Sequence, residues 1–481
     1  INPYNIVNSA FWLSFLAMSG IIFVKPLLSD DKSILIYVKR PDKKHITFKQ
    51  MIVFGLADSI ITGISITITT LPVMLVISGQ VPVISLFLNI IVIPLMSVIM
   101  MSGIFTGITG MFSIGAACFF AGAGGYILDF YNVLCKISSH FKYAVIVTGA
   151  PDNSRIVLYF MVLIVWVLVH VLLKNKRADT ICLGLLMLVM TGLHYDINAD
   201  MKAAMLDVGQ GDSIAVHTKD GLNVLFDGGS TTKKNVGRYT IYSYLKHCGV
   251  RKLDYVFVSH PDKDHINGIY ELIEMRDNTF EIGTVVLPEI RRTMAVKKQV
   301  DDDMSKLEKT LKAAGINVVY AVAGDCIKSG EFSVKCMHPC DGYDYESAND
   351  YSAVYLVEYG DFSMLMTGDA EKKAEKCIVE DVNRIAGDAD TSARLVSVNI
   401  LKVGHHGSKG ASSEEFLSYI KPETALISCG AGNSYGHPHT ETLKRLSGIK
   451  AKVYRTDESG EIAVRVREGS YKIEMFKELK G

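Results

Sequence analysis

The sequence predicts a multi-domain chain, a polytopic α-helical membrane bundle followed by a soluble α/β domain, and three observations carry this. From Ser59 to Leu128 there is no Asp, Glu, Lys, Arg or His. After Asn198 the charge mixture is that of a soluble protein, and there short β-branched runs alternate with helical stretches. With 481 residues the chain also exceeds the roughly 250 to 300 residues that one core supports. We therefore divide it into 1–198 and 199–481. The zero net charge from 50 basic and 50 acidic residues and the mean hydropathy of +0.24 average over two solvents.

A bilayer core about 30 Å thick takes roughly 20 apolar residues per helix, so the uncharged run holds up to three spans. Spans are expected near 8–28, 51–78 (kinked at Pro72), 81–102, 104–128, 155–173 and 179–195. Phe130 to Val147 is interrupted by Lys136, His140 and Lys142 and reads as an interfacial helix. Lys25, Lys32, Lys39, Arg40, Lys43, Lys44 and Lys49 crowd one loop, and Lys174, Lys176 and Arg177 another. Positive-inside bias puts both in the cytoplasm, and six crossings then put the soluble domain outside. Asp58, Gln80 and Asn89, with Pro72, Pro82 and Pro94, are polar groups and helix breakers at membrane depth, where such residues line a cavity or pack inside a bundle. The three polar residues are the candidate channel residues.

The chain starts at Ile1 without a charged segment leading to a cleavage site, which reads as a piece of a longer protein. Nine cysteines are present, none in a C-x-x-C pair, so neither a disulfide framework nor a cysteine zinc site is expected. No Gly-rich loop ending in Gly-Lys-Ser/Thr occurs, which excludes a built-in Walker-type motor.

In the soluble part, strands are expected at Ala203 to Leu206, Ser213 to His217, Asn223 to Phe226, Tyr255 to Val258, Thr284 to Leu287, Ala353 to Glu358, Ser363 to Met366, Val396 to Val403 and Ala425 to Ser428, with a helix around Tyr239 to His247. Ligand-type residues gather where these strands end. Ser259-His260-Pro261-Asp262-Lys263-Asp264-His265 follows an apolar strand and packs four donors into six residues. Such a loop can direct His260 and Asp262 to one cation, and Asp264 and His265 to another. Imidazole suits zinc, manganese and iron, and carboxylates favour the harder of these. Asp227, His338, Asp369, His405 and His406 stand at other strand ends, with Gly228 and Gly229 letting the backbone come close.

The order of an Asp, an H-x-[HD]-x-D-H loop, then His, Asp and His resembles the metallo-β-lactamase superfamily. That resemblance implies a four-layer αβ/βα metallo-β-lactamase-type sandwich with two divalent metal ions, Mn or Zn. One metal would take His260, Asp262 and His338. The other would take Asp264, His265 and His405, with Asp369 bridging and Asp227 supporting. Asp262 stands where the superfamily carries a middle His, which hardens the site. His405 is preferred over its neighbour His406 as the ligand. Asp264, Asp369 and Asp227 would form the catalytic set, and His406, Lys409 and His437 would meet substrate.

Further wording resembles the ComEC family of competence proteins: Leu206 to Ser213 (LDVGQGDS), Asn349 to Tyr355 (NDYSAVY), Lys402 to Ser408 (KVGHHGS), Asn433 to Pro438 (NSYGHP), Ala10 to Ile21, and Thr70 to Leu95. The turn Gly209 to Ser213 reads as structural, with Asp207 and Asp212 orienting the cluster without binding metal. His437 either contacts substrate or a neighbouring metal, or caps its turn. The resemblance implies a multi-pass protein of the cytoplasmic membrane that moves single-stranded DNA, with a metal-dependent nuclease degrading the other strand, and lacking here the family's first spans and an OB-like domain. It also implies membrane lipid, a DNA receptor and a cytoplasmic ATPase motor as partners. The alternatives are a non-catalytic DNA-binding module and a hydrolase of another phosphoester. Lys233, Lys234, Arg238, Arg291, Arg292, Lys297, Lys298 and Lys409 are the candidate phosphate contacts.

Overall fold

A computed structural model describes residues 9–29, 47–141, 143–289, 297–340, 347, 349–386 and 397–477. Arg291 and Arg292, and Lys32 to Lys44 of the expected cytoplasmic loop, lie outside these residues. The chain forms two compact units, Ile1–Asp196 with Lys246–Val250, and Ile197–Leu245 with Arg251–Gly481.

The first unit is helical. α1 (Ser9–Ser19) runs through a π turn into α2 (Lys25–Ser29), followed by α3 (Phe48–Ser78), α4 (Ser85–Gly110), α5 (Ile114–Ser139), α6 (Asn153–Leu173) and α7 (Lys176–Thr191). Among the described residues, five helical stretches are long and apolar enough to cross a membrane: Ser9–Ser29, Val53–Ser78, Ser85–Gly110, Ile114–Ser139 and Asn153–Leu173. The expected sixth span is α7, whose 16 residues cover about 24 Å at 1.5 Å each, short of a bilayer core of about 30 Å.

Thr47 starts α3 with a capping box to Gln50, and Gly79 ends it at φ 65°. The expected break near residue 103 falls instead at Met111 to Ser113. Gly103 continues the helix, and the Ser113 hydroxyl accepts the Ala116 N–H at 3.3 Å to start α5. The expected interfacial helix is therefore partly the end of α5, while β2 (Ile146–Val147) pairs antiparallel with β1 (Gln80–Val81). Leu71 and Leu75 of α3 share a buried core with Tyr159, Leu163 and Trp166 of α6, and the Tyr159 hydroxyl donates to the Ile68 carbonyl at 2.7 Å.

The second unit has an eight-stranded sheet in the order β17-β16-β3-β4-β5-β6-β7-β8 and a seven-stranded sheet in the order β15-β14-β13-β12-β11-β10-β9. The strands of the first are β3 (Met201–Met205), β4 (Ile214–Thr218), β5 (Asn223–Phe226), β6 (Lys252–Phe257), β7 (Glu281–Pro288), β8 (Asn317–Ala321), β16 (Ile462–Arg467) and β17 (Ser470–Met475). Those of the second are β9 (Cys326–Ser329), β10 (Phe332–His338), β11 (Val354–Tyr359), β12 (Phe362–Met366), β13 (Ile400–Lys402), β14 (Thr424–Ile427) and β15 (Lys452–Arg455). The strand expected over Val396 to Val403 is thus shorter, and its first residue lies outside the described ones.

Alternate residues of both sheets, among them Met205, Val216, Phe257, Val334, Tyr355 and Val464, form the core between them. Helices α8 (Tyr242–His247), α9 (Lys263–Glu274) and α10 (Lys297–Ala313) follow strands of the first sheet, and α11 (Lys372–Ala386), α12 (Glu414–Ile420), α13 (Thr440–Gly448) and the short α14 (Thr456–Ser459) follow strands of the second. Ile378, Phe416, Leu417 and Leu446 from α11 to α13 cover the second sheet's outer face at Leu401 and Ile427. Helices thus sandwich two facing sheets, the αβ/βα arrangement expected. One expectation fails: Cys340 and Cys377 form a disulfide with Cα atoms 6.6 Å apart. Their separation of 37 positions hides the pairing in sequence, and α11 carries Cys377 back to the end of β10.

Candidate metal centre

Parallel strands of both sheets end at one place. In the first sheet β5 pairs with β6, so Asp227 and Ser259-His260 leave it side by side. In the second, β12, β13 and β14 run parallel, so Asp369, His405-His406 and Ser428 leave it together. The backbone is drawn in tightly around them. A Cβ on Gly229 would fall 2.3 Å from the His265 main-chain nitrogen, and one on Gly368, at φ 50°, would fall 2.3 Å from the Ser352 hydroxyl.

Each inner imidazole is gripped by one nitrogen and presents the other. His265 Nδ1 is 2.9 Å from Asp227 Oδ2, and Asp227 also accepts from the Ser259 N–H and hydroxyl, both at 2.7 Å. His260 Nδ1 lies 3.0 Å from the Ser259 hydroxyl and 3.4 Å from that of Ser352. His406 Nδ1 donates to the Ser428 carbonyl at 2.9 Å.

The opposite nitrogens converge on Asp369: His265 Nε2 at 3.3 Å, His406 Nε2 at 3.8 Å and His260 Nε2 at 3.9 Å. Asp264 Oδ2 is 3.5 Å from His406 Nε2, and Asp262 Oδ2 is 3.6 Å from His260 Nε2. Among the described residues, the Nε2 atoms of His260, His265 and His406 and Oδ1 of Asp369 are buried without a hydrogen-bond partner. Unpaired buried polar atoms are costly, and a divalent cation would supply the partner that these lack. The trios His260, His265, Asp369 and Asp264, His265, His406 each bring their donor atoms within 4.8 Å of one another. The mixture of imidazole and carboxylate fits zinc, manganese or iron. Burial works to raise the Asp369 carboxyl, but the imidazoles of His265, His406 and His260 outweigh it and hold the group well below the usual range.

Of the two adjacent histidines, the structure turns His406 into the cluster where His405 was expected. Both adopt left-handed backbone, φ 46° and 52°, so the chain coils directly after β13. His405 is partly exposed, with Nδ1 2.8 Å from Glu371 Oε1 and Nε2 3.8 Å from Asp369 Oδ2. His338 is fully buried at the end of β10 with Nδ1 2.9 Å from the Ser352 carbonyl, outside both trios. Burial pushes its pKa down to about 4, which keeps the ring neutral.

His437 lies beside the cluster, its ring 5.5 Å from that of His405 and 6.2 Å from that of His406, and Lys409 is exposed in the next loop. The channel candidates occupy three separate places. Asp58 pairs with Lys25 at 2.9 Å, Gln80 lies in β1, and Asn89 faces Gly63 across α3 and α4.

Sequence reasoning missed Lys402. Its ammonium group pairs with Asp212, donates to the Gly368 carbonyl at 2.6 Å and lies 4.0 Å from Asp369 Oδ1. A lysine closing an otherwise apolar buried strand was the available signal. The supporting hydroxyls of Ser259 and Ser352 and the carboxylate of Glu371 carried none.

This donor set on a two-sheet scaffold, in a chain whose described residues include helices long and apolar enough to cross a membrane, defines a membrane protein with a metallo-β-lactamase-like domain. Residues 206–308 match the model of that superfamily, and residues 1–173 match that of the Competence protein family. In both segments the chain is similar to the ComEC family of competence proteins. It is 25% identical to ComE operon protein 3 of Bacillus subtilis, over 97% of this chain and 56% of that one. It is 28% identical to Recombination protein 2 of Haemophilus influenzae, over 61% of this chain and 33% of that one. The chain thus spans about half the length of the first of these relatives and a third of the second. The solved diiron β-hydroxylase CmlA of Streptomyces venezuelae aligns at a TM-score of 0.37 with 12% identity, over 56% of this chain and 54% of its own.

Proposed function

We propose that this chain takes part in DNA uptake through the cytoplasmic membrane, with residues 1–198 passing one strand and residues 199–481 hydrolysing phosphodiester bonds of the other. The observation that carries the hydrolytic reading is the set of three buried, unpartnered imidazole nitrogens around Asp369. His260, Asp262 and His338 would hold one cation, Asp264, His265 and His406 the other, with Asp369 between them. Bound divalent cations, Mn or Zn, would supply an acidified water and charge neutralisation at a phosphoryl oxygen. Asp227 holds the His265 ring in place, and Ser259, Ser352 and Ser428 hold the others, as outer partners of metal ligands do. His405, Lys409 and His437 stand on the accessible side, where substrate enters.

The uptake reading rests on the family match and on the relatives' names. A DNA receptor and a cytoplasmic ATPase are the partners that the resemblance implies, and hydrolysis of the outer strand is the other source of energy for transport. The domain stands on the outer side, which the Cys340–Cys377 disulfide supports, since disulfides persist in oxidising compartments. Lys174, Lys176 and Arg177 put the start of α7 in the cytoplasm, so α7 with the residues after it must return the chain. The test is cleavage of single- and double-stranded DNA by the detergent-solubilised chain with Mn²⁺, Zn²⁺ or chelator. Metal-dependent cutting that Asp369→Ala abolishes is the expected result, and no cutting with any metal refutes the hydrolytic reading.

A further inference from the structure

The loop between β14 and α13 carries a device that the hydrolytic reading leaves unexplained. Asn433 locks it from within: its side-chain amide donates to the Gly430 carbonyl at 2.9 Å and the His437 carbonyl at 2.6 Å, and its carbonyl accepts from the His437 N–H at 3.0 Å. Gly436 supplies the left-handed φ of 74° that lets the loop close. Gln210 Nε2, from the Gly-Gln-Gly turn, reaches His437 Nδ1 at 3.4 Å and pins the ring from the other side.

At the apex of this rigid loop stands Tyr435, 56% exposed. Its ring stacks on His437 with centroids 5.7 Å apart and planes 23° from parallel. One face is thus backed by imidazole, while more than half of the residue stays exposed to solvent. His437 in turn lies 5.5 Å and 6.2 Å from His405 and His406, so two ring steps lead from the donor cluster to an exposed aromatic residue. An exposed tyrosine usually keeps rotamer freedom and rests against its own surface. A preorganised, half-covered ring beside a centre of this chemistry is instead a surface for another flat ring.

We propose that Tyr435 is a stacking platform that seats the unpaired base adjoining the phosphodiester at the donor cluster, so that the site selects single-stranded nucleic acid. The inference rests on the phosphodiesterase reading. Every base has a π-face, so such a platform is tolerant of sequence. In a duplex both faces of each base are already covered by neighbours, which leaves nothing for Tyr435 to take up. Tyr435 is a positioning residue and donates nothing to the reacting atoms.

The full chain in detergent, with Mn²⁺, is assayed on a short single-stranded oligonucleotide. Stacking worth about 1–3 kcal/mol per base corresponds to about a 5- to 150-fold rise in KM for Tyr435→Ala. We expect that rise with kcat changed by less than about twofold, and recovery in Tyr435→Phe, which keeps the ring. Wild type on an oligonucleotide abasic beside the cut should match Tyr435→Ala on the normal one. Unchanged KM in Tyr435→Ala, while DNA is still cut, overturns the proposal. Photocrosslinking of a 5-iododeoxyuridine oligonucleotide, mapped by mass spectrometry, separates failure of the two readings. If the wild type does not cut but the adduct falls on Tyr435, the platform stands without the nuclease. Adducts confined to other residues overturn it.

Discussion

Lys402 and Asp212 form an ion pair whose side chains are only 2% and 3% exposed, at the edge of the donor cluster. Removing one partner of such a pair leaves a buried charge alone, at a cost of about 3–5 kcal/mol. We expect Lys402→Met to lower the melting temperature by roughly 6–20 °C. The double variant with Asp212→Asn should lose less than the two single losses combined. A Lys402→Met protein that melts with the wild type would show that the pair contributes nothing.

Metal binding distinguishes the two adjacent histidines. His406→Ala should weaken Mn²⁺ binding, read by calorimetry, by more than the roughly 10- to 100-fold that loss of an outer partner costs. Ser259→Ala, which frees the grip on His260 and Asp227, should fall within that range. His405→Ala should bind Mn²⁺ nearly as the wild type does. The reverse order of the two histidine variants would restore His405 as the ligand.

Acid should act on His217, away from the metal centre. It is buried in β4, with Nδ1 2.9 Å from Asn223 Oδ1 and its ring stacked 5.8 Å from Tyr244. Burial pushes its pKa down to about 4 from 6.5. The folded value lies below the unfolded one, so this contribution to stability is complete above pH 6.5 and is lost as pH falls toward 4. His217→Phe keeps a ring and removes the titration. Its stability should decline less steeply over that window, by up to about 1.4 kcal/mol per pH unit, in melts taken across pH. Identical slopes would assign the acid sensitivity elsewhere.

Cys326 offers a native reporter of sidedness, because it is an exposed free thiol of the second unit. A membrane-impermeant maleimide applied to intact cells should label it, and the label should vanish in Cys326→Ser. Labelling that appears only after the membrane is opened would put the domain in the cytoplasm.

What the sequence displayed depended on distance along the chain. His260 to His265 could be read because four donors fall within six residues after an apolar strand, of which Asp264 and His265 lie in the first turn of α9, and Asp227 and Asp369 because each follows a strand of clear pattern. The choice between His405 and His406 could not, since two successive left-handed residues decide which ring turns inward and no periodicity encodes them. The helix break at Ser113 was equally hidden, because hydropathy runs unbroken from Ser85 past it and a single hydroxyl cap sets the end. Lys402 and the Cys340–Cys377 pair depend on contacts between distant strands and helices, which local patterns do not record.

The pairing of β3 with β16, with Ala203 opposite Val464, sets an order of events during synthesis. Until β16 leaves the ribosome, β3 is an edge strand, and the sheet that carries Asp227, His260 and His265 is incomplete. At about 5–20 residues per second that interval lasts on the order of 10–50 s. Throughout it, the helices of the first unit have already been made while the candidate metal centre lacks a finished scaffold, so the donor cluster is assembled after them.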